Sequence, residues 1–295
     1  YSPSSILDEQ VSPNVPRVAF VSCRVLPEPD PDQQLLLTAA RGAGLDAEMA
    51  PWDDPAVDWS RYALAVVRSS WNYYERASDF RAWIERTDKR TRLWNPAELL
   101  EFNIHKRYLS YLERKGVPTV PTWFIAPEFA GGLRNILEET RWPRFVLKPA
   151  TSASSFMTRV FDVDEIDGAI DFLHRIHEWG DAMVQPYVSS VASGGEAALV
   201  YINGEITHAV TKNPRYQADE ESVSAAFPPD PEQLAVARAA ADAMPGQKLY
   251  GRIDLMRLDD GRWAVSEAEF IEPSLFFLQY PPALDRFMAA VARMV

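Results

Sequence analysis

Two stretches near the end of the chain, GRIDLM (251–256) and AVSEAEF (264–270), carry Arg252, Asp254, Glu267 and Glu269, with an Asp260-Gly261 turn signal between them. Read as paired strands, they place Glu267 and Glu269 on one face, because side chains repeat with period two. Antiparallel pairing sets Asp254 opposite, so three carboxylates can converge on one point. Such acids repel one another unless cations stand between them. Oxygen-only donors suit magnesium, with the phosphates of a nucleotide completing its shell. An acidic, solvent-facing hairpin has the same pattern. Arg252 lies two residues before Asp254 on the same face. It either offsets the acids or stabilises charge developing on a phosphoryl group in transit.

Two lysines are the next chemical candidates. Lys148 follows the apolar run FVL and precedes Pro149, so it stands at the end of a buried strand, where a lysine is costly unless it meets a partner such as phosphate. Lys106 sits near a helix start between His105 and Arg107, where a snorkelling or exposed side chain is the plain alternative. The stretch VLKPATSASSFMTRV (146–160) breaks after Lys148 into small hydroxyl residues, and composition alone fits either a phosphate loop or a surface turn. VQPYV (184–188) places Pro186 in an apolar run, which assigns it to an edge strand or to a segment leaving a sheet. Exposed backbone groups of that kind can read an adenine edge.

The elements that position these residues follow from periodicity. RVAFVSC, a helical stretch with a glycine stop, and a second strand make a β-α-β opening; YALAVVRSSWNYY adds a strand running into an aromatic loop. Alternating strands and helices predict an open parallel sheet, whose ligands lie beyond the carboxyl ends of the strands. Ser22, Arg24, Arg68, Ser69 and Asn72 fall on those loops. NPAELLEFNIHKRYLSYLERKGVP then reads as one helix carrying Lys106 and stopping at Gly116. Asn203-Gly204 is a hairpin signal, and residues 213–231 read as a long loop of the kind that often serves as a lid.

The bulk numbers restrict the classes. The 295 residues carry 42 acids and 30 bases, a net charge of −12, which disfavours a nucleic-acid partner. No run approaches a membrane span. Cys23 is the sole cysteine, which excludes an internal disulfide and a multi-cysteine zinc site and fits a reducing, cytoplasmic setting. Residues 1–16 are expected to be a flexible extension, for lack of a periodic apolar face. No Ser-His-Asp or Cys-His constellation is evident, and His174 and His177 share a helix face without a third ligand.

In their order along the chain, these pieces resemble the ATP-grasp superfamily over residues 100 to 280: a helix lysine, a strand lysine followed by Pro and a small-residue loop, a Q-P-Y segment, a G-E pair, and a hairpin bearing R-x-D then E-x-E. The resemblance implies an α/β protein in which two α+β subdomains (101–190 and 191–295) clasp ATP behind an N-terminal open parallel α/β domain (17–100). It implies Lys106 and Lys148 as nucleotide lysines, and Ser154 and Ser155 at the β- and γ-phosphates. The backbone of Gln185, Pro186, Tyr187 and Val188 would meet adenine, and Glu196 the ribose. Asp254, Glu267 and Glu269 would hold Mg2+, and Arg252 would be the catalytic cation. Ser274 joins the N-terminal loop residues as a substrate candidate. The chain departs from the pattern in having no glycine between 146 and 160, and in Glu269 where many relatives carry Asn.

The chemistry so implied is phosphorylation of a small amino-acid-like carboxylate by ATP, then attack on the acyl phosphate by nitrogen. EFIEPSLFF, RSSWNY and VSCRVLPEPD are similar to a bacterial branch of stand-alone ligases with a place in antibiotic biosynthesis. Ring closure within one substrate and the joining of two, as a dipeptide or amide, both stay open, as do monomer and homodimer. A nucleotide-binding sensor that lost ligation is the alternative of another class, and retention of Arg252 with all three acids speaks against it. A dinucleotide oxidoreductase needs a glycine fingerprint after RVAFVS, where CRVLPEPD stands instead.

Overall fold

The computed structural model describes residues 15–129, 131–153, 155–213 and 222–295. Most of the expected extension (1–14), Ser154, and the 214–221 part of the long loop lie outside the described residues. The first sheet holds β1 (Arg17–Ser22), β2 (Asp46–Pro51), β3 (Leu64–Ser69) and β4 (Arg92–Trp94), in the order β2-β1-β3-β4 and parallel throughout. Its crossovers carry α1 (Gln33–Gly42) and α2 (Ala77–Asp88). Alternation sorts its residues cleanly. Val18, Phe20, Leu64 and Val66 join one core with Leu36 of α1, whereas Ala19, Val21, Ala65 and Val67 join another with Phe80, Trp83 and Ile84 of α2. Both faces are covered, as a parallel sheet requires.

The predicted single helix after residue 97 is two helices, α3 (Ala97–Asn103) and α4 (Tyr108–Arg114), and Lys106 stands in the break between them. The break has a physical cause. The Lys106 backbone N–H donates to Ala150 O at 2.8 Å instead of continuing a helix. The Asn103 side chain is committed elsewhere, as described below.

A second, antiparallel sheet of β5 (Trp123–Ile125), β6 (Arg144–Pro149), β7 (Arg159–Asp162) and β8 (Ala182–Pro186) runs in the order β5-β8-β6-β7. It packs against α5 (Gly132–Thr140) and α6 (Ile166–His177) through Leu133, Leu137, Phe172, Leu173 and Ile176. Pro186 does not mark an edge strand, since β8 lies between β5 and β6; it is tolerated because it is the last residue before the chain leaves the sheet.

After the short α7 (Ser190–Gly194), the third sheet comprises β9 (Glu196–Ile202), β10 (Glu205–Asn213), β11 (Ser222–Val223), β12 (Tyr250–Arg257) and β13 (Trp263–Glu269), in the order β11-β10-β9-β12-β13. The helix α8 (Pro231–Ala243) covers one face. The last helix, α9 (Pro281–Ala292), returns to the first sheet, where Phe287, Met288 and Val291 share a core with Val18, Phe20 and Val200. No helix among the described residues is long and apolar enough to cross a membrane.

β13 ends its sheet, so its outer backbone groups need partners. The segment from 95 to 120 supplies them. Asn103 donates to Ala268 O at 2.8 Å and accepts from Phe270 N at 2.6 Å, and Tyr108 Oη accepts from Ala268 N. Asn95 donates to Phe270 O (2.7 Å) and Tyr250 O (2.9 Å) while accepting from Leu249 N (2.8 Å). Val120 N donates to Val265 O, and Val265 N to Pro118 O. Asn95→Ala strips three buried backbone groups of their partners and is expected to destabilise the protein by about 2–4 kcal/mol. Urea unfolding checks this against the exposed Gln34→Ala, which should fall within about 0.5 kcal/mol of the parent.

Candidate active site

Two lysines from different elements meet at Glu267 of β13. Lys148, from the end of β6, donates to Glu267 Oε1 at 2.7 Å, and Lys106, from the break between α3 and α4, places Nζ 3.6 Å from Oε2. Lys106 also donates to Ser152 O at 2.8 Å, which ties it to the loop after β6. All three side chains are largely buried. Burial works against the Glu267 carboxylate, but the two lysines outweigh it and hold it well below the usual carboxylate range. Burial likewise opposes the Lys148 ammonium, and Glu267 outweighs it, so that the net shift is upward.

Asp254 heads a second group on the same face. It pairs directly across from Glu267, and Arg252 pairs across from Glu269. A bulge follows Asp254 in this pairing, and the Ser266 hydroxyl donates to Asp254 O at 3.0 Å. Arg252 grips Asp254 through Nε (2.8 Å) and Nη2 (2.9 Å) and reaches Glu269 at 2.7 Å. Lys212, on β10, donates to Asp254 Oδ2 at 2.5 Å and lies 3.4 Å from Glu196. Burial and Arg252 oppose the Lys212 ammonium, yet Asp254 and Glu196 raise its pKa overall and keep it charged. Gly195 sets this spacing: its φ is +69°, and a Cβ there would come within 2.5 Å of Lys212 O.

The loop after β6 answers the missing glycines. Ser155 (φ 57°) and Met157 (φ 48°) occupy the left-handed region that glycine would fill without strain. Phe156 anchors the loop between Tyr74 and Trp179, at ring distances of 4.8 and 4.9 Å. Facing it, Gln185 to Val188 form the wall where β8 leaves its sheet, with the Gln185 amide donating to Thr122 Oγ1 at 3.0 Å.

One cleft brings together Lys106, Lys148, Ser155, Gln185, Pro186, Tyr187, Val188, Glu196, Arg252, Asp254, Glu267, Glu269 and Ser274. Five expected substrate residues are not among its lining. Arg68 is buried beneath Tyr250 and donates to Pro273 O at 3.1 Å. Ser22 and Ser69 are buried at the strand ends, Arg24 is exposed, and Asn72 is committed to Trp52 and Asp53. The loop beyond β3 reaches the cleft instead through Trp71 and Tyr73. Lys212 and Glu272 also line it and were not singled out from the sequence. A two-residue turn at Asn203-Gly204 would set Thr211 opposite Glu196; the extra residue at Thr207 moves Lys212 there.

The three hairpin acids share a face but do not converge on one point: no three acidic, His or Cys side chains among the described residues are gathered to hold a metal ion. Lysines and arginine stand between them. The donor chemistry nevertheless fits a divalent cation. Among the described residues the cleft is lined by Lys106, Lys148, Lys212 and Arg252 and by Glu28, Glu196, Asp254, Glu267, Glu269 and Glu272, so its acidic side chains outnumber its basic ones. Burial pushes Glu269 up to about 7 and Glu272 up to about 8, each raised further by neighbouring acids. Hard oxygen donors short of positive charge suit magnesium.

Comparisons with known proteins bear on the family and the fold. Residues 18–95 match the family model described as D-cycloserine synthetase DcsG, N-terminal domain. The chain is 34% identical over 279 residues to the cycloserine biosynthesis protein DcsG of Streptomyces lavendulae, covering 89% of this chain and 93% of that one. The crystal structure of D-cycloserine synthetase DcsG superposes with a TM-score of 0.87 at 34% identity, over 95% of this chain and 100% of that chain. VanG D-Ala:D-Ser ligase from Enterococcus faecalis shares the fold at 12% identity, with a TM-score of 0.66 over 95% of this chain and 100% of its own. The chain therefore belongs to the D-cycloserine synthetase DcsG family and has the ATP-grasp fold.

Proposed function

We propose that this protein is an ATP- and magnesium-dependent carbon–nitrogen ligase that activates the carboxylate of a small amino-acid-like substrate and closes it into a ring. The observation that carries the reading is the Lys106–Glu267–Lys148 group, set between the loop after β6 and the β12–β13 hairpin. The similarity to D-cycloserine synthetase along nearly the whole chain supports O-ureido-D-serine as substrate and D-cycloserine as product.

In this reading the backbone of Gln185 to Val188 takes adenine, Glu196 the ribose, and Lys106, Lys148, Ser154 and Ser155 the phosphates. Asp254, Glu267 and Glu269 would hold magnesium, which when bound shields the phosphate oxygens. Arg252, held by Asp254 and Glu269, stabilises the phosphoryl group as a substrate carboxylate oxygen attacks the γ-phosphorus and ADP leaves. The aminooxy nitrogen of the same molecule, which still carries the carbamoyl group, then attacks the acyl carbon and gives up its proton as phosphate departs; water afterwards cleaves the nitrogen–carbamoyl bond and takes the group away as carbamic acid, which breaks down to carbon dioxide and ammonia. Neither step needs a protein nucleophile; both need in-line positioning and exclusion of water.

Lys148→Ala is expected to abolish ATP binding measured by calorimetry. Glu267→Gln should retain adenine binding and lose turnover, read as ADP release and as product mass with O-ureido-D-serine. Normal turnover in both variants overturns the assignment.

A pH dependence follows from the raised acids. Ligand-free protein keeps protons on Glu269 and Glu272 that the unfolded chain has already released above the ordinary carboxylate range. These two groups therefore make stability fall as pH rises from that range through about 7 and 8. Thermal unfolding should show the decline, and Glu269→Gln should flatten it. Binding of magnesium with ATP at neutral pH should release protons, visible as a binding heat that changes with the ionisation enthalpy of the buffer.

A further inference from the structure

The segment after β13, residues 271–274, is held by its backbone. Its four consecutive carbonyl oxygens each accept from a different side chain: Ile271 O from Tyr250 Oη (2.6 Å), Glu272 O from Trp71 Nε1 (3.0 Å), Pro273 O from Arg68 Nη2 (3.1 Å) and Ser274 O from Arg252 Nη1 (3.5 Å). Trp71 and Arg68 come from the first sheet and its following loop, so two parts of the molecule fix one short stretch. Arg68, buried and away from the cleft lining, thereby has a positioning role.

What this arrangement presents to the cleft is the Glu272 carboxylate. The residue is 7% exposed and lines the cleft beside Trp71, Tyr73 and Ser274. Among the described residues, no side chain donates a hydrogen bond to it and no cation comes within 4.0 Å, whereas Asp254, Glu267 and Glu269 each have a lysine or arginine partner. Without a ligand this buried acid holds its proton, and a ligand that brings positive charge against it lets it ionise.

The neighbouring walls indicate which ligand. Lys106 and Arg252 offer positive charge to a carboxylate, and Glu272 offers the opposite sign against the aromatic residues Trp71 and Tyr73. Tyr73 is buried and its hydroxyl is held protonated, chiefly by burial and by Glu272. A wall of this kind suits a small ammonium group. An α-amino acid carries both charges on adjacent carbons.

We propose that Glu272 is the specificity residue that binds the substrate α-ammonium, so that this ligase takes α-amino acids and rejects their deamino counterparts. The inference rests on the functional reading above for the activated carboxylate, and it applies equally to ring closure and to the joining of two substrates. An ammonium paired with Glu272 stays protonated and is no nucleophile, which leaves the acyl phosphate to the intended nitrogen.

The test compares O-ureido-D-serine with its deamino counterpart, 3-(carbamoylaminooxy)propanoate, on the parent, Glu272→Gln and Glu272→Asp. The parent should prefer the amino compound by about 100-fold in kcat/KM. Glu272→Gln should bring the two compounds within a few-fold, mainly through the KM of the amino compound, with the ATP KM and the magnesium requirement unchanged. Glu272→Asp should restore part of the preference. Full discrimination in Glu272→Gln, or a change confined to the magnesium requirement, overturns the assignment. Failure of the cyclisation reading shows separately, as parent enzyme that releases ADP only with another amino acid; that amino acid and its deamino counterpart then form the deciding pair. Absence of ADP release with every amino acid overturns both readings.

Discussion

The pairing of Lys106 and Lys148 with Glu267 is the constraint on which the cleft depends. Each side chain comes from a different element: the break between α3 and α4, the end of β6, and β13. A buried ion group of this kind adds little net stability over an apolar core, but losing one member leaves a charge without compensation. Its role here is geometric. It fixes the distance between the sheet that carries Lys148 and the sheet that carries the acids, and it keeps Glu267 ionised where burial alone would protonate it.

The remaining charges extend the same logic. Asp254 is shared by Arg252 and Lys212, and Arg252 is shared by Asp254 and Glu269, so each charged atom limits where the next can go. The packing around them is rigid for ordinary reasons: Ile253 and Leu255 point to the opposite face, into the core under α8, while Ala198 and Val200, cross-strand from Asp254 and Arg252 on the same face, pack towards α9. A polar surface held by packed strands keeps its geometry without ligands, which is what positioning chemistry requires.

Much of this was legible in the residues because it follows from period two. Arg252, Asp254, Glu267 and Glu269 share a face as alternation demands, and β1 and β3 are doubly buried as their apolar runs require. What alternation could not supply depends on long-range partners or on irregularities. The helix break at Lys106 arises from its bond to Ala150, 44 residues on in sequence numbering. Lys212 is placed by a bulge at Thr207, and no composition signal marks that position. Arg68 looked like a ligand residue because it falls at the carboxyl end of a parallel strand, where ligands of open sheets sit; its partner, Pro273 O, lies 205 positions away. Glu272 lies in EFIEPSLFF, a stretch that carried the resemblance without giving this residue a role, and the four hydrogen bonds to residues 271–274 reveal that it is fixed.

The return of α9 to the first sheet has a consequence for how the chain is made. Val18, Phe20, Leu64 and Val66 are synthesised more than 200 residues before Phe287, Met288 and Val291, yet they share a core with them. Domains commonly fold in order of synthesis. Here the β-α-β unit must wait, with one apolar face incompletely covered, until α9 has been translated. Its final packing is coupled to the arrival of α9, and a product cut short before that helix exposes the face to aggregation instead of persisting as a stable fragment.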